Sequence, residues 1–354
     1  DLVITSDTAM AHVAGALGRP VWLVVKRVPE WRWGLAGGLS PWYPSMRLFR
    51  QSRAGDWSEP MRAVAADLAR LARLLGGPGP APGETAASLF AAGLAAYGRG
   101  AVAEAAALFT RAVPAAPRDA RLLNFLAMAR LAEGGAEALA DALVFAAHSV
   151  ALDGCDPDLL ANLAVVLKRR GDLDDAAVAL DRALALAPGH RAAGLNAINL
   201  DLARGRTADA AVRAETLAAA FPGDAGVLAV AADAMRAAGR FEPATVLARR
   251  AVAAAPEEAR HRVSLGRIRL EAGDPDGAAR AWEEAVALAP DDADALSNLG
   301  VHERSHGDTG LALWFARAAV AADPTHADAW SNLGIAAGER ERPDEARAAF
   351  ARAI

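Results

Sequence analysis

Residues 327–354 read ADAWSNLGIAAGERERPDEARAAFARAI. Trp330, Leu333 and Gly334 fall on one face of a helix, and Ala346, Phe350 and Ala353 on one face of another. These spacings of three and four residues are helical. The polar stretch from Gly338 to Pro343 makes a turn between the two. Gly334 and Ala346 are small, so the paired helices are expected to approach closely. One period earlier the pattern recurs with Leu296, Leu299, Gly300, Ala312 and Ala319.

That period is 34 residues. Pro188, Pro222, Pro256, Pro290 and Pro324 are each 34 apart, and Pro117 closes an earlier unit. A proline disfavours helix in the residue before it, so each closes a second helix. The units are 84–117, 118–154, 155–188, 189–222, 223–256, 257–290, 291–324 and a truncated 325–354. Unit 118–154 is three residues longer than the rest, with the extra residues expected in Glu133-Gly134-Gly135-Ala136. Gly194, Ala231 and Ala232 weaken the pattern in the units 189–222 and 223–256, whose register Ala210 and Ala244 keep. A fixed period of this length marks stacked helical hairpins that bury their apolar faces against one another.

Period and register together resemble the tetratricopeptide repeat family. The resemblance implies a superhelix of antiparallel helix pairs with a concave groove that takes a protein or peptide. Asn162, Asn196, Asn298 and Asn332 share one position on the first helix of four units. In the family this position looks into the groove, and the set resembles the asparagine ladder of O-linked N-acetylglucosamine transferases. An amide both donates and accepts, so it can hold a peptide backbone without reading its side chains. The simpler alternative is that Asn-Leu-Gly belongs to the repeat and satisfies local polar groups. Ala91, Phe125, Val230 and Ser264 interrupt the ladder, which predicts a peptide gripped in two stretches.

Composition closes off other classes. The net charge is −5, so no concentrated basic face for nucleic acid is expected. Cys155 is the single cysteine, which excludes an internal disulfide and any multi-cysteine metal centre. No apolar run approaches the ~18 residues of a membrane span, and a cytoplasmic location is the expectation. His302-Glu303-Arg304-Ser305-His306 fits the H-E-x-x-H zinc pattern. It lies where a repeat's first helix ends. The downstream glycine and third histidine of the extended zinc pattern are missing, Thr309 and Ala312 standing there instead. No metal is expected. His148, His190, His261 and His326 read as surface or packing residues.

The opening region differs in kind. Gly76-Gly77-Pro78-Gly79-Pro80-Ala81-Pro82-Gly83 can form neither helix nor paired strand, and the domain boundary is placed at residues 76–83. Before it, Leu2–Thr5 and Val21–Val25 read as buried strands, Ala9–Leu17 and Asp56–Leu75 as helices. This β-α-β pattern predicts a parallel sheet. The turn Ser6-Asp7-Thr8 lies at the carboxyl end of a strand and the amino end of a helix. Free amides there make an anion site, and His12 lies one turn on, along the same face. An ordinary capped helix with His12 packed on the sheet is the alternative.

The runs DLVITSDTAMAHVAGALGRPVWLVV, PEWRW and SPWYPSMRLFRQ resemble the last part of a heptosyltransferase-like glycosyltransferase of the GT-B type. The expected fold is therefore mostly α, a tetratricopeptide superhelix preceded by a partial α/β, Rossmann-like segment in residues 1–75. The resemblance implies that Ser6, Asp7 and Thr8, with the Ala9 and Met10 amides and His12, hold the diphosphate of a nucleotide sugar, which is substrate and not cofactor. Ala9 stands where such enzymes often carry glycine. Trp31, Arg32 and Trp33 are candidates for lining the cleft, with a place in the core as the alternative. Asp1 opens directly into a strand, so the chain is expected to be a piece of a longer protein. That parent would be a glycosyltransferase with metal-independent inverting chemistry. The chain alone, lacking the other half of such a fold, is not expected to catalyse. A non-catalytic interaction scaffold is the competing expectation.

Overall fold

The computed structural model describes residues 2–353; Asp1 and Ile354, which bound the first and last expected segments, lie outside them. The chain divides into two units, one ending at Leu200 and the other beginning at Asp201. The first unit opens with β1 (Val3–Ser6), α1 (Ala9–Ala16), β2 (Val21–Val25), β3 (Met46–Arg50) and α2 (Ser58–Leu75). Among the described residues the strands form one parallel sheet in the order β1-β2-β3, with Val3 opposite Val21 and Val21 opposite Met46. All five residues of β2 are buried, as a central strand's must be when both faces are covered.

β3 has no counterpart among the strands expected from the sequence. Its apolar run is broken by Arg47 and Arg50, and each has a specific partner. Arg47 pairs with Asp67 of α2 at 2.7 Å. Arg50 donates to the carbonyls of Trp33, Gly34 and Gly37. The strand's two cations thus fasten the helix on one side and the 33–37 loop on the other. Asp56 lies two residues before α2, and its carboxylate accepts from the Ser58 amide at 2.9 Å and the Ser58 hydroxyl at 2.6 Å. Those two hydrogen bonds hold Asp56 below the usual carboxylate range.

Helical hairpins follow. In the first unit these are α3 (Ala86–Gly98) with α4 (Val102–Ala112), α5 (Ala120–Glu133) with α6 (Ala136–Leu152), and α7 (Pro157–Arg170) with α8 (Leu173–Leu186). The division between the units falls inside α9 (Arg191–Ala203). The second unit continues with α10 (Thr207–Ala220), α11 (Ala225–Ala237), α12 (Phe241–Ala254), α13 (Ala259–Glu271) and α14 (Pro275–Leu288). It ends with α15 (Ala293–Ser305), α16 (Thr309–Ala322), α17 (Ala327–Glu339) and α18 (Pro343–Ala353). No helix among the described residues is long and apolar enough to cross a membrane.

The period has a local cause at both ends of the first helices. Asp119, Asp224 and Asp292 stand two residues after a closing proline, and each accepts the amide three residues on, at 2.9–3.0 Å. Side-chain caps of this kind satisfy amides that the first turn leaves unpaired. The turn to the second helix needs a left-handed residue. Glycine supplies it at 171, 205, 239, 273 and 307, with φ between 70 and 94.

The close helix approach expected from small residues is present and has a specific partner. A Cβ on Gly93 would lie 2.4 Å from the Phe109 ring, one on Gly266 2.3 Å from Trp282, and one on Gly334 2.6 Å from Phe350. In each hairpin the glycine admits an aromatic ring sixteen residues on.

Two expectations need correction. The extra residues of 118–154 do not lengthen the turn, which is only Gly134-Gly135; they lengthen α6, which has 17 residues where α8 has 14. The added first turn of α6 carries Glu137, which pairs with Arg70 of α2 at 3.0 Å, and Asp141 pairs with the same arginine at 3.2 Å. The added turn is thus a docking post for α2. Second, residues 76–83 contain neither helix nor strand, and although Val21, Leu23, Val25, Trp33, Met46 and Leu48 form a cluster of their own before them, another core runs across them. Trp22, Val24 and Phe49 of the sheet and Val64, Leu71 and Leu74 of α2 join one apolar cluster with the hairpins that follow.

The 26–45 loop is clamped to the same unit. The Asp175 carboxylate on α8 accepts from the Gly38 amide at 2.7 Å and the Leu39 amide at 3.2 Å, and Arg182 donates to the Ser40 carbonyl. Gly37 is required there: its φ is +81, and a Cβ would lie 2.6 Å from the Asp175 carboxylate.

Candidate functional site

In the second unit, the first helices of successive hairpins turn equivalent positions toward a common groove. Its larger chamber, 480 Å³, is walled by α11, α13 and the start of α15. The adjoining chamber, 260 Å³, is walled by α15 and α17. Asn298 and Asp294 line both. Asn332 lines the second and donates its amide to the Ser297 hydroxyl at 2.9 Å, which ties α17 to α15. Asn298 makes no side-chain hydrogen bond among the described residues, so its amide is open to a ligand. Val230 and Ser264 occupy the same register in the larger chamber. Its far wall carries an ion pair, Arg267 on Asp233 at 2.7 Å. The smaller chamber is acidic, with Asp294 and Asp328 in its wall.

Asn162 lies on α7 and Asn196 on α9, both half-buried like Asn298 and Asn332. The structure thus places two of the four asparagines in the first unit and two along the groove of the second.

Two histidines expected to be bystanders have a defined place. His190 and His326 cap α9 and α17: each Nδ1 accepts the amide three residues on, at 3.2 Å. That bond puts the ring proton on Nε2. The Nε2 atoms lie 3.0 Å from Asp158 and 2.9 Å from Asp294, each on the preceding hairpin. Sequence reasoning missed this, although the two histidines sit two residues after a closing proline, like the aspartate caps. His261 is 4% exposed and lines the groove wall, with its Nε2 buried and unpartnered. Burial first, and Arg260 second, push its pKa down against the opposing pull of Glu258. His148 of α6 faces a 400 Å³ apolar cavity under α2, and burial pushes its pKa down to about 4.

Beside the sheet, Ser6 ends β1, and Asp7 and Thr8 form the turn to α1. Thr8 is the residue before α1 in extended conformation, and its side chain caps no amide. Its hydroxyl lies 3.3 Å from that of Thr5. Ala9 and Met10 start the helix. His12 stacks on Trp33 at 5.1 Å between ring centroids, and its Nδ1 lies 3.2 Å from the Tyr43 hydroxyl. The three candidates at 31–33 part company. Trp33 is 1% exposed and belongs to the core, whereas Trp31 is 75% exposed, edge-on to Trp42. Arg32 is half-buried, with its guanidinium 5.7 Å from the Trp31 ring centroid and its carbonyl accepting from the Trp42 indole at 2.8 Å.

The H-E-x-x-H residues also gain a neighbour. Asp276 of α14 stands with His302 and His306 so that one ligand atom from each lies within 4.8 Å of the others.

The family model of the tetratricopeptide repeat matches residues 62–120, 263–327 and 315–354. Over these segments the chain is similar to tetratricopeptide repeats. The first match runs from α2 across residues 76–83 to the start of α5, in keeping with the core that α2 shares with the hairpins. A tetratricopeptide repeat protein from Parabacteroides merdae superposes with a TM-score of 0.54 at 14% identity, over 71% of this chain and 98% of that one; at that identity the likeness concerns the fold alone. PilF of Pseudomonas aeruginosa is similar at TM-score 0.48 and 18% identity, over 56% of this chain and 89% of that one. YrrB, described as a tetratricopeptide protein with an unusual peptide-binding site, is similar at TM-score 0.42 and 21% identity, over 52% and 95%. No curated protein sequence matches the chain.

Proposed function

We propose that the chain is a protein-interaction scaffold whose repeats take an extended peptide segment. The segment runs along the second-unit groove, its backbone held by Asn298 and Asn332. Asn162 and Asn196 are the corresponding amides of the first unit. The observation that carries this reading is the shared wall of the two chambers, where the unpartnered Asn298 amide stands between a larger recess of mixed polarity and an acidic one. Asp294 and Asp328 suit a ligand with a lysine or arginine at that end. The test is selection from a library of linear peptides, followed by affinities for the chain and for Asn298→Ala with Asn332→Ala. Two lost hydrogen bonds, at about 1 kcal/mol each, predict affinity lower by roughly tenfold or more. Unchanged affinity in the folded double variant would refute the assignment.

A second reading concerns the opening segment. In it, Ser6, Asp7 and Thr8, with the Ala9 and Met10 amides and His12, contribute to holding a nucleotide-sugar diphosphate within an intact parent glycosyltransferase. Its support is the uncapped start of α1 beside a hydroxyl pair, with His12 oriented by Tyr43 and Trp33. Asp7→Ala with Thr8→Ala in the parent is expected to weaken donor binding by ~1–3 kcal/mol. Equal donor affinity in parent and variant would remove this reading and leave the scaffold alone.

A further inference from the structure

We propose that Asp276, His302 and His306 form a binding site for a divalent transition ion of the zinc class, bridging two adjacent repeats. The sequence offers only two of the three ligands, and the third was sought downstream, at Thr309 and Ala312. The fold supplies it from upstream instead. Asp276 begins α14, the second helix of the preceding repeat, and packing of α14 against α15 brings its carboxylate to the two rings.

His302 lies in the last turn of α15 and His306 caps its end four residues on, and the two rings stand side by side with centroids 4.2 Å apart. The Nδ1 of His306 lies 2.9 Å from the His302 carbonyl oxygen, which can only accept, so the ring proton sits on Nδ1. The Nε2 lone pair is thereby left free, in the orientation that metal-binding histidines are given by such a second bond. It faces Asp276 at 4.0 Å, too far for a hydrogen bond. Metal bonds of ~2.0–2.2 Å would bring the two atoms closer together through small rotations of exposed side chains.

At His302 the repeat departs from its own pattern, a half-buried imidazole standing at a core-facing register position. Ala234, Ile268 and Ala336 fill the same position in neighbouring repeats, and all three are buried in the core. Two imidazoles and one carboxylate favour zinc, cobalt or nickel over calcium or magnesium, which prefer all-oxygen sites. Three protein ligands leave a position for water. Because the ligands come from two hairpins, the ion would clasp them together and raise the stability of the second unit by mass action.

The test is calorimetric titration of the untagged full chain with zinc chloride, alongside cobalt(II) absorption. The expected result is saturable binding of one ion, visible cobalt bands, and a thermal midpoint that rises with zinc. Asp276→Asn and His306→Ala, both at exposed sites and checked for native circular dichroism, should each lose at least the ~10–100-fold that even an outer-shell partner contributes. The proposal is overturned by absent saturable binding, by affinity and cobalt bands unchanged in both variants, or by equal competition from calcium.

Discussion

The hairpins from α11 to α18 and the opening residues 2–75 reach stability by different routes. In the hairpins each helix packs on its neighbours in the chain, and the decisive contacts recur: a glycine under an aromatic ring sixteen residues on, a cap two residues after a proline. The opening segment has a small sheet whose loop is held by single polar contacts made far along the chain. The Gly38 amide bonds to Asp175, 137 residues away, and the Ser40 carbonyl to Arg182, 142 away. The array repeats equivalent contacts, whereas the opening segment adds to its apolar clusters a few clamps that occur once.

The sharpest way to break the hairpin half of that contrast is Trp282→Ala. The ring is fully enclosed over Gly266 and donates to the Val263 carbonyl at 3.3 Å. Truncation should cost ~3–5 kcal/mol in urea unfolding. A loss under ~1 kcal/mol would mean that neighbouring repeats absorb the cavity.

Acidification tests the opening segment next. His148 under α2 is shifted from an ordinary 6.5 to about 4 by burial. Between those values the unfolded chain binds a proton that the folded chain refuses. The contribution is therefore complete above pH 6.5 and is lost as pH falls toward about 4. Its size is at most ~3 kcal/mol, since one pKa unit corresponds to ~1.4 kcal/mol. His148→Leu should flatten that part of the stability profile, and an identical slope in the variant would contradict the burial.

Asp175→Ala is the more local probe. It strands the amides of Gly38 and Leu39 and should cost roughly 2 kcal/mol. Amide exchange should accelerate at those two residues while α7 and α8 keep their protection. Uniform acceleration would show that the clamp supports the whole unit. The smallest stability effect is expected from Asn298→Ala, within ~0.5 kcal/mol, since its amide has no partner to lose, whereas Asn332→Ala also forfeits the bond to Ser297 and should cost about 1 kcal/mol.

What was legible in the sequence follows the same contrast. The helix pairs, their turns and the close approach at Gly334 were readable because they repeat. β3 was not, since Arg47 and Arg50 hide it and their partners are known only once α2 and the 33–37 loop are in place. The three added residues read as turn because Gly134 and Gly135 make one; as helix they carry Glu137 to Arg70 of α2, a partner that the local sequence does not reveal. His190 and His326 were passed over because a histidine cap looks unlike an aspartate cap in sequence, though it accepts the same amide. Of the site, the asparagine register was visible in advance, but the chambers around Asn298 and the place of Asp276 beside His302 depend on packing between hairpins.

The most direct test of the peptide groove is side-chain amide NMR of Asn298 and Asn332 during titration with a selected peptide. Binding through their amides predicts that both pairs of resonances shift and saturate together with the peptide's own affinity. Saturable binding that leaves both unmoved while resonances on α12, α14 or α16 shift would place the partner on the second helices and contradict the groove.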